Sequence, residues 1–289
     1  MTILQNKKVS VIIPNYNYGK YIKKRIKSIL DQTYPIHELI ILDDCSTDGS
    51  AELIKNLVLD LKLQNPKMNI RFVPNDKNSG KAISQWEKGF ELATGDCIWI
   101  AEADDLCSKN FLENVMAGFK DKDVVISYAE SKVINGKGIM IAPNLRFSRD
   151  KERTGHYKNN YVKDGEEEIK EIMAIRCSIP NVSGVVFKKD TKIPFKKYFK
   201  EALKFQQVGD WYFYVNILKH GKIAYCKKSL NTFRKHSSSV TKNSNKTGLH
   251  LGEIKEMQKY ISKNYGLSHE IKQNQEKELA RLSSRYGII

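Results

Sequence analysis

Ile98-Trp99-Ile100-Ala101-Glu102-Ala103-Asp104-Asp105 decides how this chain is read. A short apolar run stops at three carboxylates. Cys97 to Ala101 reads as a strand buried on both faces, as the strands of a parallel sheet are. Open α/β sheets bind ligands just beyond the carboxyl ends of such strands. Acids placed there suit a hard divalent cation that bridges to a phosphate. They also suit a solvated loop with an N-cap for a helix starting near Lys109. This stretch alone leaves both readings open.

The preceding residues repeat the same grammar. Val9 to Pro14 is a β-branched run ended by proline, a strand. Asn15-Tyr16-Asn17-Tyr18-Gly19 is turn chemistry. Tyr21, Ile22, Ile26, Ile29 and Leu30 then fall at helical spacing, up to Gln32. Glu38 to Leu42 is a second strand and ends in Asp43-Asp44. Thr47 or Asp48 can cap the helix that follows, through Leu61. Met68 to Val73 is a third strand, and Lys81 to Leu92 a third helix, stopped at Thr94-Gly95. Alternating strands and helices imply right-handed crossovers and a parallel sheet. Carboxylates stand beyond two strand ends, where they can accept from a base or a ribose. Neither G-x-G-x-x-G nor G-x-x-x-x-G-K-[ST] occurs, which argues against a dinucleotide fold and a P-loop NTPase. A bound nucleotide would be held by acids and a metal, not by a glycine cradle.

These residues carry a resemblance. The segments 9–17 (VSVIIPNYN), 28–34 (SILDQTY), 41–48 (ILDDCSTD), 78–81 (NSGK), 93–96 (ATGD) and 102–105 (EADD) resemble glycosyltransferase family 2. Six motifs in order make a far more specific signal than one. The resemblance implies an α/β, GT-A fold: a Rossmann-like, mostly parallel central sheet flanked by helices. It also implies an inverting transfer from a nucleotide-sugar donor, with uracil the commonest base in the family. It places Pro14, Tyr16, Asn17 and Asp44 around the nucleotide, with Lys81 and Arg234 also binding the donor. Asp104 and Asp105 fall at ribose and metal. Glu102, Asp104, Asp105 and His236 become the candidate ligands of Mn2+ or Mg2+. One departure stands out. The family's acid-x-acid pair usually starts with Asp, and this chain has Glu102, whose longer side chain can change which carboxylates reach the cation.

Beyond Asp105 the pattern loosens. Phe111 to Phe119 reads as a short helix and Val124 to Ala129 as a strand. Residues 130–165 are polar and weakly periodic, a long loop on the acceptor side. Glu166 to Ile175 reads as helical. Ile179 to Phe187 is either a plain buried strand after a turn or, as in the resembled family, a segment beside the donor sugar and acceptor. Asp210 stands at the mouth of the aromatic run 211–214. Inverting displacement at an anomeric carbon needs one general base, and burial beside Trp211 can raise an aspartate toward that task. An aspartate there can also be an N-cap, and both roles can hold at once. In Phe233-Arg234-Lys235-His236, the two cations can neutralise a leaving diphosphate. Ser237 to Ser239 suggest a loop that orders on donor binding. Residues 248–263 and 268–286 form two helices, the second with few apolar anchors. The chain therefore divides into a nucleotide-sugar-binding half (1–107), an acceptor-binding and catalytic half of the same domain (108–240), and a C-terminal helical extension (241–289).

Totals narrow the function further. With 289 residues and 40% hydrophobic content, the chain can bury a real core. No apolar run has bilayer length, and the first eight residues carry no signal-like apolar stretch. Five widely spaced cysteines suggest free thiols in the cytosol rather than a disulfide framework or zinc site. The net charge of +16 is uneven: residues 1–107 balance, 108–240 carry +12, and 241–289 carry +4. Such a surface can face an anionic membrane, an anionic carrier or a nucleic acid, or simply be solvated.

The expected protein is thus a cytoplasmic, metal-dependent inverting glycosyltransferase, a hexosyl- or N-acetylhexosaminyltransferase. It would act in bacterial surface polysaccharide synthesis, from a UDP-sugar to a glycan or lipid-linked acceptor, with peripheral contact to the membrane's inner face. Two other classes compete: a glycan-binding module that kept the fold and lost the chemistry, and a basic nucleic-acid-binding protein. The second fits badly with a neutral, acid-clustered first half, so no nucleic acid is expected.

Overall fold

β1 (Val9–Asn15) is buried at every position. It is a run of β-branched residues with a parallel neighbour on each side, β2 (Glu38–Asp43) and β4 (Cys97–Ile100). Ile12 lies opposite both Ile40 and Ile100. β3 (Asn69–Pro74) extends the parallel set beside β2. The computed structural model describes residues 7–145, 155–236 and 248–287.

Alternation along these strands sorts the core onto two faces. Ile12, Ile40, Leu42, Ile98 and Ile100 pack on Trp86 and Phe90 of α3 (Ala82–Leu92). Val11, Ile13, Leu39, Ile41 and Trp99 pack on Ile22 and Ile26 of α1 (Gly19–Leu30) and on Ile54 and Val58 of α2 (Ser50–Gln64). Period-2 burial on strands and helical periodicity on covering helices are the same fact seen from two sides. α3 lies close to the sheet because Gly89 faces it: a Cβ there would stand 2.5 Å from the Ile12 Cγ2.

Past β4 the sheet becomes mixed. The order is β3-β2-β1-β4-β9-β6-β10-β5. β9 (Val185–Lys188) runs antiparallel to β4 and to β6 (Val124–Asn135), and β10 (Lys222–Lys235) runs parallel to β6. β5 (Leu106–Cys107) pairs antiparallel with Asn231 and Thr232 of β10. One expectation is corrected here, and one strand is added. The long acceptor-side loop begins later and is more ordered than expected: β6 continues through Asn135, β7 (Met140–Ala142) pairs back on it, and β8 (Tyr161–Asp164) pairs with β10. The segment from Leu230 to Lys235, for which the sequence indicates no element, is the end of a 14-residue strand. Its polar residues hid it, because most of their partners are polar groups far away in the chain. Ser237 to Ser239 lie outside the described residues.

The connections agree more closely. α4 (Phe111–Met116) passes into a 3-10 turn at Ala117–Lys120. α5 (Gly165–Glu168) continues as a π-helical turn over Ile169–Met173. α6 (Phe195–Ala202), α7 (Gly209–Leu218), α8 (Leu249–Asn264) and α9 (His269–Tyr286) complete the set. The last two helices pack on the body of the protein: Ile254, Met257, Ile261 and Leu282 share one core cluster with Ile12 and Trp211.

Candidate active site

A cavity of about 420 Å³ opens beyond the carboxyl ends of β1 and β2. It is lined by Pro14, Tyr16, Asn17, Asp44, Lys81 and Glu102, six of the residues singled out from the sequence. Tyr16 is 46% exposed at its rim. Asn17 takes the left-handed conformation, at φ 58°, that asparagine tolerates better than most residues. It secures the turn: its Oδ1 accepts from the Thr47 amide (2.8 Å), and its own amide donates to the Ser46 Oγ (2.9 Å). The N-cap of α2 is Gly49, not Thr47 or Asp48, but Asp48 Oδ1 does accept from the Ser50 amide at the start of that helix (2.9 Å).

Asp44 is buried and heavily engaged. Its Oδ1 accepts from Asn75 Nδ2, the Ser79 amide and Gln85 Nε2, and its Oδ2 from the Ser79 hydroxyl. Each carboxylate oxygen has about two acceptor sites; three donors crowd Oδ1, whereas Oδ2 takes only the Ser79 hydroxyl and keeps room for one ligand donor. The NSGK segment therefore serves mainly to aim Asp44.

The acid cluster is split by the tertiary structure. Asp104 Oδ2 lies 2.8 Å from His236 Nε2, at the end of β10. Tyr18 and Tyr21 wall the imidazole, with ring centroids 5.7 and 5.5 Å away. Asp105 turns inward: Oδ1 accepts from the Arg234 amide (2.8 Å) and Oδ2 from Asn181 Nδ2 (3.0 Å). Burial, then Asp104, pushes its carboxyl up, against the pull of Arg25. Glu102 is held by Trp86 Nε1 at 2.8 Å. Burial, with Asp104 and Asp105 adding to it, drives the Glu102 carboxyl up to about 8, while the Trp86 bond opposes the rise. The three acids thus point to three different partners, and none of them caps α4, whose N-cap is Asn110.

The fit of a cation follows from these contacts. A carboxylate suits Mn2+ or Mg2+, and the imidazole beside it favours Mn2+ over the harder Mg2+, with other positions left to phosphate and water. Among the described residues, no group of three or more His, Cys, Asp and Glu side chains converges to hold a metal. The expected four-ligand set is therefore not gathered in one place.

Arg234 does not reach toward solvent. Its Nε donates to the Asp104 carbonyl (2.6 Å) and Nη1 to the Asn135 carbonyl (3.2 Å), and its guanidinium lies 4.6 Å from the centre of the Tyr21 ring. It clamps the Asp104-Asp105 turn. Lys81 is committed too: its Nζ donates to the carbonyls of Leu203 and Phe205. Both lysine and arginine had been expected on the donor, and both hold backbone.

Asp210 lies in the first turn of α7, one residue past Gly209, with Val208 at the N-cap position. It is thus not the N-cap itself. Its Oδ1 accepts from the Trp211 amide (2.7 Å), and burial pushes its carboxyl up to about 6 although that bond opposes the rise. Gly209 packs so closely on α3 that a Cβ would lie 2.4 Å from Ile83 Cδ1. Gly209, the residue before Asp210, therefore lies against α3, whose first turn follows Lys81 of the cavity wall, while Asp210 itself is not among the residues that line the cavity. Burial, and after it the charge of Asp210 with a smaller push from Glu102, raises the hydroxyl of Tyr214, one helical turn on, well above the ordinary tyrosine value.

Several participants were invisible as such in the sequence. Trp86 reads as a core position of an amphipathic helix. Asn181 and Ser183 sit in a run that reads equally as strand. Yet Asn181 holds Asp105, and the Ser183 Oγ accepts from the Glu102 amide at 3.1 Å.

The chain's family and fold are shared with known proteins. The profile of Glycosyl transferase family 2 matches residues 10–178, more than half of the chain, and the chain belongs to that family. Glycosyltransferase GlyG of Streptococcus pneumoniae is 34% identical over 120 residues, 41% of this chain and 38% of its own length. The poly(ribitol-phosphate) beta-N-acetylglucosaminyltransferase TarS of Staphylococcus aureus is 28% identical over 134 residues, 46% of this chain and 22% of its own length. The chain thus spans less than half the length of these relatives. A crystal structure of TarS 1–349 with UDP-GlcNAc matches the fold at TM-score 0.65, with 18% identity, over 96% of this chain and 73% of that one. The mannosyltransferase PcManGT of Pyrobaculum calidifontis, in complex with GDP-Man and Mn2+, matches at TM-score 0.57, with 14% identity, over 99% and 76%. The fold is GT-A.

Proposed function

We propose that this chain is a metal-dependent, inverting glycosyltransferase. It moves a hexosyl or N-acetylhexosaminyl group from a UDP-linked donor to a glycan or lipid-linked acceptor in bacterial surface polysaccharide assembly. One observation carries the reading: the 420 Å³ cavity at the ends of β1 and β2 gathers Pro14, Tyr16, Asn17 and Asp44, and its wall residue Tyr18 packs edge-on against His236, the partner of Asp104. TarS, which acts on poly(ribitol-phosphate) and binds UDP-GlcNAc, supports the donor and acceptor classes.

Pro14 and Tyr16 flank the base, and the spare acceptor site of Asp44 Oδ2 takes a base or ribose donor. Asp104 and His236 would hold the cation, which when bound would supply Lewis-acid stabilisation of the diphosphate. Arg234 keeps Asp104 in place. Asp210 accepts the proton of the acceptor hydroxyl as that oxygen attacks the anomeric carbon and the nucleoside diphosphate leaves from the opposite face. One displacement inverts the centre, so no covalent intermediate is required.

Calorimetric binding of UDP, with GDP and TDP as comparators, tests this on the native chain and on Asp104→Ala, each with and without Mn2+. The expected result is UDP binding that requires the metal and is lost in the variant. Failure of every nucleoside diphosphate to bind overturns the reading.

A further inference from the structure

We infer that Glu253, on the C-terminal helix α8, is a positioning residue for Asp210: its carboxylate fixes the segment that leads into the helix carrying the base. The inference rests on the proposed role of Asp210 and adds a residue distant in sequence from every motif.

Glu253 is only 7% exposed. Its Oε1 accepts from the Gln206 amide at 2.8 Å, and its Oε2 from the amides of Gln207 and Val208 at 2.8 and 3.2 Å. These are the three residues before Gly209, at the amino-terminal end of α7. The carboxylate thus satisfies donors at a helix start and places negative charge at the positive end of its dipole. Bonds to an ionised acceptor are stronger than neutral ones, and leaving such amides unpaired is costly where water is excluded.

The same segment is gripped from the opposite side. Lys81, in the cavity wall, donates to the carbonyls of Leu203 and Phe205. A lysine therefore takes the carbonyls and a glutamate the amides, while the Gly209–Ile83 contact leaves no slack between them. A base displaced by about 1 Å can lose about a hundredfold in rate. The rest of the extension is anchored independently: Gln258 Nε2 donates to the Ile175 carbonyl (2.9 Å) and Gln275 Nε2 to the Ala174 carbonyl (2.7 Å). Losing the Glu253 bonds therefore leaves α8 docked.

The test is Glu253→Gln, which keeps shape but turns one acceptor into a donor facing amide donors. Glu253→Asp is a milder variant that keeps the charge. Gln258→Ala loosens the extension elsewhere, and Asp210→Asn reports on the base. UDP release is followed from a panel of UDP-hexoses and UDP-N-acetylhexosamines, UDP affinity is measured with Mn2+, and amide exchange is read at residues 206–208. Glu253→Gln is expected to lower kcat at least about tenfold, with UDP affinity within about twofold and faster exchange at the three amides. Glu253→Asp should fall between it and the native chain, and Gln258→Ala should keep native kcat. Native kcat in Glu253→Gln, with Asp210→Asn inactive, overturns the inference. So does an equal loss of kcat and UDP affinity in both Glu253→Gln and Gln258→Ala, which would mark a merely structural role. An active Asp210→Asn removes the base reading, and the inference with it.

Discussion

At Asp210, burial works for the chemistry and against the fold. A carboxyl raised from 3.8 to about 6 is a better proton acceptor than an exposed aspartate, and it is still ionised at neutral pH. The sign of the linkage is the reverse of a salt-bridged acid: above about pH 6 the buried charge detracts from stability, and protonation relieves it. Activity runs the other way, because only the carboxylate can take a proton. The pH profile of kcat is expected to fall about tenfold per unit below about pH 6, and Asp210→Asn to lose roughly 10²–10⁴-fold in kcat while binding UDP normally. A profile that stays flat to pH 5 would argue for another base. The neighbouring acids show how little residue type alone decides. Asp104 and Asp105 are adjacent, yet one meets His236 and the other the Arg234 amide and Asn181.

Glu38 acts at the scale of elements. Its Oε1 accepts from Ser10 of β1 (2.6 Å) and from the amide and hydroxyl of Thr94 before β4 (2.6 and 2.7 Å), and its Oε2 from Arg71 of β3 (2.6 Å). One side chain on β2 thereby ties together the four parallel strands. Burial pushes this carboxyl up, but the hydrogen bonds together outweigh it and hold it at about 2. A depressed acid contributes stability that is complete above about 4.5 and is lost as pH falls from there toward 2. Glu38→Gln is expected to cost ~2–3 kcal/mol in urea unfolding at pH 7, the low end for a buried pair because Arg71 is partly exposed. The deficit should shrink as pH drops below 4, and an equal deficit at pH 7 and pH 3 would contradict this assignment. Strand segments of this kind were legible in advance. Their apolar runs are local, whereas the bonds of Glu38 reach from Ser10 to Thr94.

Across the whole molecule, charge is segregated. The first 107 residues balance, and 108–240 carry a surplus of twelve positive charges. Among the described residues no helix is long and apolar enough to cross a membrane. We propose that the basic surplus holds the protein to the anionic inner face of the membrane, near a lipid-linked acceptor. Each basic residue near such a surface contributes about 1 kcal/mol, screened within a Debye length. Sedimentation with phosphatidylserine vesicles at low salt should therefore exceed that with neutral vesicles and fade by about 0.5 M salt. Equal sedimentation in the two cases would refute it.

The sequence by itself determined the alternation of strands and helices through residue 107, the acids at the strand ends, and the family. Those are consequences of local periodicity and of short motifs, which a chain carries wherever it goes. It also placed both C-terminal helices within a residue or two. Only the tertiary structure decided which groups meet. His236 reaches Asp104 from 132 residues away, and Glu253 reaches the amides before Asp210 from 45 to 47 residues away. Lys81 and Arg234 were expected on the donor and instead hold carbonyls. β10 was missed because much of its pairing joins polar residues. The physical reason is common to all four: hydrophobic burial is written in local spacing, but a buried polar group is satisfied by whatever partner the packed chain brings within 3 Å.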